Sequence, residues 1–381
     1  MEKNLGLYIH IPFCEKKCDY CNFVSYCKKD EEKTKYANNL IREIQIQGAK
    51  YREYKVDTIF VGGGTPTCMP TGELLMIIQA VYQNFDVDKN AEITVECNPN
   101  SLTVAKILEL KKANVNRLSI GLQAYNNKTL KEIGRLHSKK QFDECYKSAK
   151  SIGFENISVD LILGLPKQKM INIKQELRHL TKLGVKHISA YGLILEEGTR
   201  LYKNVQDGKT KLPTEEKSLK MYRLTKKYLQ KHGIERYEVS NFAQNGFESK
   251  HNLKYWTNQE YLGLGVVSSS FMDGKRWKNK DDLDEYDSFI KQNKIPTEEV
   301  EEPNKNEKME EVIMLSLRTR DGIDLQKFQN DFGIDLQKDK SKQIKNLQSQ
   351  NLIEIANGKL YCLDRGFEVL NQVILELVWY I

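Results

Sequence analysis

The stretch IHIPFCEKKCDYCNF, Ile9 to Phe23, sets Cys14, Cys18 and Cys21 into eight consecutive positions. Apolar and β-branched residues lead up to it in GLYIHIPF (6–13), which predicts a strand running directly into a cysteine loop. Three thiols at the spacing C-x3-C-x2-C are too many for one disulfide and too few for a closed structural zinc site. An iron–sulfur cluster of four irons accepts three protein thiolates and leaves one iron open, and soft thiolate donors suit it. A zinc site completed by His10 or Cys27 is the minor alternative. Cys27 follows Cys21 after a gap of five residues and reads as a bystander.

Outward from this loop, five more β-branched stretches follow: VDTIFVGGG (56–64), EITVECNP (92–99), RLSIGLQA (117–124), NISVDLILGLP (156–166) and HISAYGLI (187–194). Between them lie segments with apolar residues at three- and four-residue spacing, such as 71–85 and 141–154. Strands alternating with helices of this length predict right-handed βαβ units and a parallel sheet. The fold class is therefore α/β, and six units fit a partial (βα)6 barrel or an open doubly wound sheet. Both place their chemistry at the carboxyl ends of the strands.

We assign residues 1–235 to this unit. A helix is predicted over 213–233, with Thr214 as N-cap and Gly233 as stop. Residues 236–300 are aromatic and polar, show no clear period, and read as a connecting segment. Residues 301–381 predict three helices (307–319, 324–331, 337–350) and a hairpin turning at Asn357-Gly358, a smaller winged-helix-like domain.

The chain has 381 residues, a net charge of +7 and eight cysteines, only the first few clustered. Scattered cysteines and the absence of a signal-peptide pattern predict a reducing, cytoplasmic setting. Residues 301–381 hold 11 Lys+Arg against 14 Asp+Glu, a net of −3, which leaves +10 on the rest. An acidic tail domain argues against a nucleic-acid reader, because phosphate contacts need a basic face. The basic main body fits anionic ligands or acidic partners. The apolar C-terminus VILELVWYI (373–381) reads as a helix packing face, with peripheral membrane contact as the alternative.

YIHIPFCEKKCDYC resembles the radical S-adenosylmethionine (SAM) superfamily, in its branch of oxygen-independent coproporphyrinogen oxidases and heme chaperones. The resemblance implies a [4Fe–4S] cluster on Cys14, Cys18 and Cys21, with SAM chelated to the open iron. Reductive cleavage of SAM then gives a 5′-deoxyadenosyl radical, using an electron from a carrier such as flavodoxin or ferredoxin. It further implies SAM contacts from Tyr8, Tyr20, Gly63, Gly64, Thr65, Glu96, Gln123, Arg135 and Asp160. The glycine triplet by itself is more often just a turn. Otherwise it is expected to admit positive φ and to bring backbone N–H groups close to a polar ligand.

The branch divides at Phe23. Its coproporphyrinogen oxidases carry a further cysteine there, which phenylalanine cannot replace as a ligand. Its heme chaperones resemble this chain at Phe23 and in the motif His251-Asn252-Leu253-Lys254-Tyr255-Trp256. That resemblance implies heme as a ligand, His251 as its candidate axial donor, and client proteins such as cytochromes that receive it. A satisfied structural corner is an equally good reading of His251. Radical decarboxylation of coproporphyrinogen is the rival function.

Overall fold

The computed structural model describes residues 3–379. The six β-branched stretches form six parallel strands: β1 (Lys3–Ile11), β2 (Tyr54–Gly63), β3 (Asp86–Cys97), β4 (Arg117–Gln123), β5 (Asn156–Leu163) and β6 (His187–Gly192). They lie in that order in one sheet, each pairing with the next. Helices α1 (Asp30–Lys50), α2 (Thr71–Asn84), α3 (Val104–Lys112), α4 (Asn127–Glu132), α5 (Lys139–Ser151) and α6 (Met170–Lys182) make the crossovers. Burial on both faces explains the near-continuous apolar reading of these strands: in β1, Leu5, Leu7, Ile9 and Ile11 on one face have no accessible surface, and Gly6 and His10 on the other face are buried as well. β3 begins at Asp86, six residues earlier than its apolar run.

After β6 come α7 (Arg200–Gln206) and α8 (Glu215–Gln230). The Thr214 side chain accepts from the Lys217 N–H, so the predicted N-cap is in place. Residues 236–300 are more than a connection. With β7 (Glu235–Arg236) they supply both edges of the sheet: β8 (Asn241–Ala243) pairs antiparallel with β6, and β7 with β8. Helix α9 (Lys250–Trp256) then leads to β9 (Tyr261–Leu264), which pairs parallel with β1. β10 (Ser269–Met272), β11 (Lys275–Asn279), α10 (Leu283–Lys291) and β12 (Thr297–Glu301) complete a twelve-strand open sheet ordered β12-β11-β10-β9-β1-β2-β3-β4-β5-β6-β8-β7. These added strands have only two to five residues each, too few to show a period.

The C-terminal unit has its own core, built on Ile313, Leu317, Phe328, Leu347, Leu360, Val373 and Leu377. It contains α11 (Lys305–Ser316), β13 (Ile323–Asp324), α12 (Leu325–Phe332), α13 (Leu336–Asp339), α14 (Ser341–Ser349), β14 (Ile353–Ala356), β15 (Lys359–Cys362), α15 (Asp364–Glu368) and α16 (Leu370–Leu377). The helix read over 337–350 is broken at Lys340 into α13 and α14. Asn357 and Gly358 both have positive φ, 51° and 74°, between β14 and β15, as a tight hairpin turn requires. In α16, Val373, Ile374 and Leu377 face this core, so the apolar end is a packing face up to Trp379; Tyr380 and Ile381 lie outside the described residues. Among the described residues no helix is long and apolar enough to cross a membrane.

Candidate functional site

The cysteine loop follows β1 and is held from three sides. Cys14 N donates to Tyr26 O (3.0 Å) and Tyr26 N to Pro12 O (2.7 Å), closing the loop on itself. At its tip, Asp19 N donates to Ile133 O (3.1 Å) and accepts through its own carbonyl from Leu201 N (2.7 Å). The loop thus sits between the β4–α5 connection and α7. All three thiols are partly buried, whereas Cys27 is exposed. Cys14 Sγ lies 3.6 Å from Thr65 Oγ1, and Arg135 Nη1 lies 3.7 Å from Cys18 Sγ. Burial first, and the neighbouring thiols after it, push the Cys14 thiol up; burial does the same to Cys21. Cys14 and Cys21 thus resist ionisation without a cation beside them, and three soft thiol donors on one loop are the donor type an iron–sulfur group takes.

The carboxyl ends of the strands form a polar bowl beside the loop. At the end of β2, Gly63 has φ +111°, and a Cβ there would come within 2.6 Å of the His10 ring. At Gly64 a Cβ would lie 2.6 Å from Phe13 O. The triplet therefore lets β2 close on the cysteine loop. The amides of Gly63, Gly64 and Thr65 bond within the protein: Gly63 N donates to Glu96 Oε2 (3.1 Å), Gly64 N to Ile11 O (2.8 Å) and Thr65 N to Phe13 O (2.8 Å). The positive φ expected of the triplet is present at Gly63, and these three N–H groups line the bowl with partners of their own.

Tyr8 and His10 share one face of β1, joined by Tyr8 Oη to His10 Nδ1 at 3.0 Å. Burial lowers His10 to about 4 and leaves its Nε2 without a partner. Burial and then the Asp160 charge raise Glu96 to about 8, and burial raises Asp160 although Ser119 donates to it at 3.1 Å. Gln123 ends β4 at φ +65°, beside a register shift, a conformation that a side chain adopts at a cost. Arg135 donates to Gly121 O (2.6 Å) and Asn98 Oδ1 (2.5 Å), and it borders Tyr20, which burial raises. The bowl thus gathers every residue that the resemblance assigned to SAM.

Three comparisons define the relatives. Residues 8–192 match the radical SAM superfamily, and residues 304–369 the HemN C-terminal domain. The heme chaperone HemW of Lactococcus lactis is 36% identical over 98% of this chain and 97% of its own length. HemW of Bacillus subtilis is 35% identical over 96% of this chain and 97% of its own. The bovine mitochondrial radical S-adenosyl methionine domain-containing protein 1 is 33% identical over 98% of this chain and 87% of its own. The coproporphyrinogen III oxidase HemN of Escherichia coli shares the fold, with a TM-score of 0.87 at 20% identity over 100% of this chain and 91% of that one.

The chain belongs to the HemW family of radical SAM proteins. Membership of the superfamily implies a [4Fe–4S] cluster and SAM. Two residues of the HemW-like site were not singled out from sequence. Asn98 bridges Arg135 to Thr65, to which its Nδ2 donates at 3.0 Å. Tyr191, at the end of β6, is 43% exposed next to Asp160. The Asn98-Pro99-Asn100 run directly after β3, at the carboxyl end of a strand, is the one signal that could have found Asn98.

The HemW-type motif on α9 stands elsewhere. His251 has no accessible surface. Its Nδ1 is hydrogen-bonded to Thr58 Oγ1 (2.9 Å) and its Nε2 to Tyr255 Oη (2.8 Å). Its ring stacks on Phe60 at 5.4 Å, and burial lowers its pKa to about 3. Glu92 accepts the Lys250 and His251 amides, and Lys254 pairs with Asp57 at 2.9 Å. The motif is a polar plug under β2 and β3. With both nitrogens engaged, His251 does not offer a donor to heme iron in this fold, contrary to the reading of it as an axial ligand.

Proposed function

We propose that this chain is a heme chaperone that carries a [4Fe–4S] cluster and SAM, binds heme, and passes it to client proteins such as cytochromes. In this reading Cys14, Cys18 and Cys21 hold the cluster, which when reduced supplies an electron to SAM. Tyr8, Tyr20, Gly63, Gly64, Thr65, Glu96, Gln123, Arg135 and Asp160 bind and orient SAM. Arg135 adds a positive charge at the Cys18 thiolate, and the Tyr8–His10 pair fixes the inner wall of the bowl. Glu96 and Asp160 supply carboxylates for ribose hydroxyls or a cationic group. A flavodoxin or ferredoxin is the reductant.

The single observation that carries the choice of chaperone over oxidase is Phe23. Two residues past the third cysteine, it is 70% exposed at the edge of the loop, where the coproporphyrinogen oxidases carry a cysteine. The names of relatives that match the chain end to end support the same reading. The test is an anaerobic heme titration of cluster-reconstituted protein, followed by absorption, beside a coproporphyrinogen turnover assay. Saturation near one heme per chain without turnover is expected. Turnover without saturable heme binding would select the oxidase.

A further inference from the structure

One of the chain's basic stretches borders the outer face of α4 and α6. Residues 125–182 hold 12 Lys+Arg against 6 Asp+Glu, a net of +6. Two of those six acids, Asp160 and Glu176, are turned into the protein interior. On the outer surface, between the β4–α4 loop and α6, Lys128, Lys139, Arg178 and Lys182 ring a depression of about 570 Å³. None of the four forms an ion pair among the described residues. The carboxylate beneath them, Asp143, is already engaged by Tyr125 Oη (2.7 Å) and His179 Nε2 (2.7 Å).

Helix α4 links this depression to the cysteine loop. Tyr125 and Asn126 open α4, a helix of six residues, or about 9 Å at 1.5 Å per residue. Just beyond α4, Ile133 accepts from Asp19 N, and Arg135 reaches Cys18 Sγ. A macromolecule seated over the four cations therefore rests one short helix from the thiols.

The surface suits an acidic protein better than a nucleic acid. The His179 ring stacks on Tyr125 (3.9 Å, 19°) and Lys139 Nζ stands 5.5 Å from its centroid, so the tyrosine ring of the depression already has partners and is no open stacking platform for bases. Unpaired, exposed cations on a shallow surface act over several ångströms, which speeds encounter with a negative partner.

We propose that Lys128, Lys139, Arg178 and Lys182 form the docking surface for the acidic one-electron carrier that reduces the cluster. This rests on the reading that the chain holds a cluster needing an electron, and does not depend on heme. In the step concerned, the carrier loses one electron and the cluster gains one, with no covalent bond made or broken.

The experiment uses the full chain, with and without reconstituted cluster, and flavodoxin as the probe. The variant is Lys128→Glu/Arg178→Glu/Lys182→Glu, all three exposed and outside the bowl. Association with flavodoxin is measured at low and high salt, and cluster reduction is followed with reduced flavodoxin and, separately, with photoreduced deazaflavin. The expected result is association slowed about 10- to 1000-fold at low salt, with the salt dependence largely gone. Flavodoxin-driven reduction falls in parallel while deazaflavin reduction is unchanged. Binding to the cluster-free chain, weakened equally in the variant, supports the surface even where the cluster is lost. Wild-type association and salt dependence in the variant would overturn the proposal. So would flavodoxin failing to bind while single-stranded RNA binds the four cations.

Discussion

His251→Ala separates the two readings of the α9 motif. The substitution leaves the Thr58 hydroxyl and the Tyr255 hydroxyl without their ring partner, at about 1–3 kcal/mol each when buried. It also empties the ring volume against Phe60, so the total loss is roughly 3–6 kcal/mol. That is a large part of the roughly 5–15 kcal/mol typical of a folded domain. Tyr255→Phe removes one partner only and is expected to cost about 1–2 kcal/mol.

Burial also gives the histidine a pH signature. Its folded pKa is about 3 against 6.5 ordinarily, so below 6.5 the unfolded chain takes up a proton that the folded chain refuses. The stability held above pH 6.5 is therefore lost as pH falls towards 3, at about 1.4 kcal/mol per pH unit. The alanine variant loses that part of the slope. Denaturant unfolding followed by circular dichroism, repeated from pH 7 to 4, reads both effects. An alanine variant that unfolds at the wild-type denaturant concentration, with an unchanged pH slope, would refute the reasoning.

Three other outcomes are expected. Gly64→Ala places a Cβ 2.6 Å from Phe13 O and pushes the cysteine loop away, so reconstituted protein retains less iron than wild type; full iron content would contradict the close-approach role. Glu96, at about 8, carries a proton at neutral pH without ligand, and a cationic group of SAM placed beside it lowers that pKa. Binding should thus release up to one proton at pH 7, seen by calorimetry in buffers of different ionisation enthalpy and absent in Glu96→Gln. Asp364→Ala breaks the pairs to Lys226 and Arg236 (3.2 Å) between the C-terminal unit and the large-sheet domain. Because Asp364 is mostly exposed, the loss should stay within about 1 kcal/mol by denaturant melting.

The parallel strands and the cluster loop were readable because both are local patterns. A strand buried on both faces draws on a run of β-branched residues, and three thiols within eight positions are visible in the sequence itself. The hairpin at Asn357-Gly358 was readable for the same reason. The edges of the sheet were not. Pairing of Gly6 with Tyr261 joins segments some 250 residues apart, and no periodicity in a four-residue strand reports it. Asn98 escaped notice because its value comes from reaching Thr65 and Arg135 at once. His251 was ambiguous for a related reason: a histidine beside tyrosine and tryptophan reads equally as ligand or plug. Only the positions of Thr58 and Glu92, on β2 and β3, decide between them.

Under the proposed function, heme leaves this chain for another protein. The direct measurement mixes heme-loaded, cluster-reconstituted chain with an apo-cytochrome under anaerobic conditions and follows the holo-cytochrome spectrum. One heme is expected to appear on the cytochrome for each heme lost from the chain, with no coproporphyrinogen consumed in a parallel assay. Heme that is never bound saturably, or never transferred, together with coproporphyrinogen decarboxylation, would contradict it.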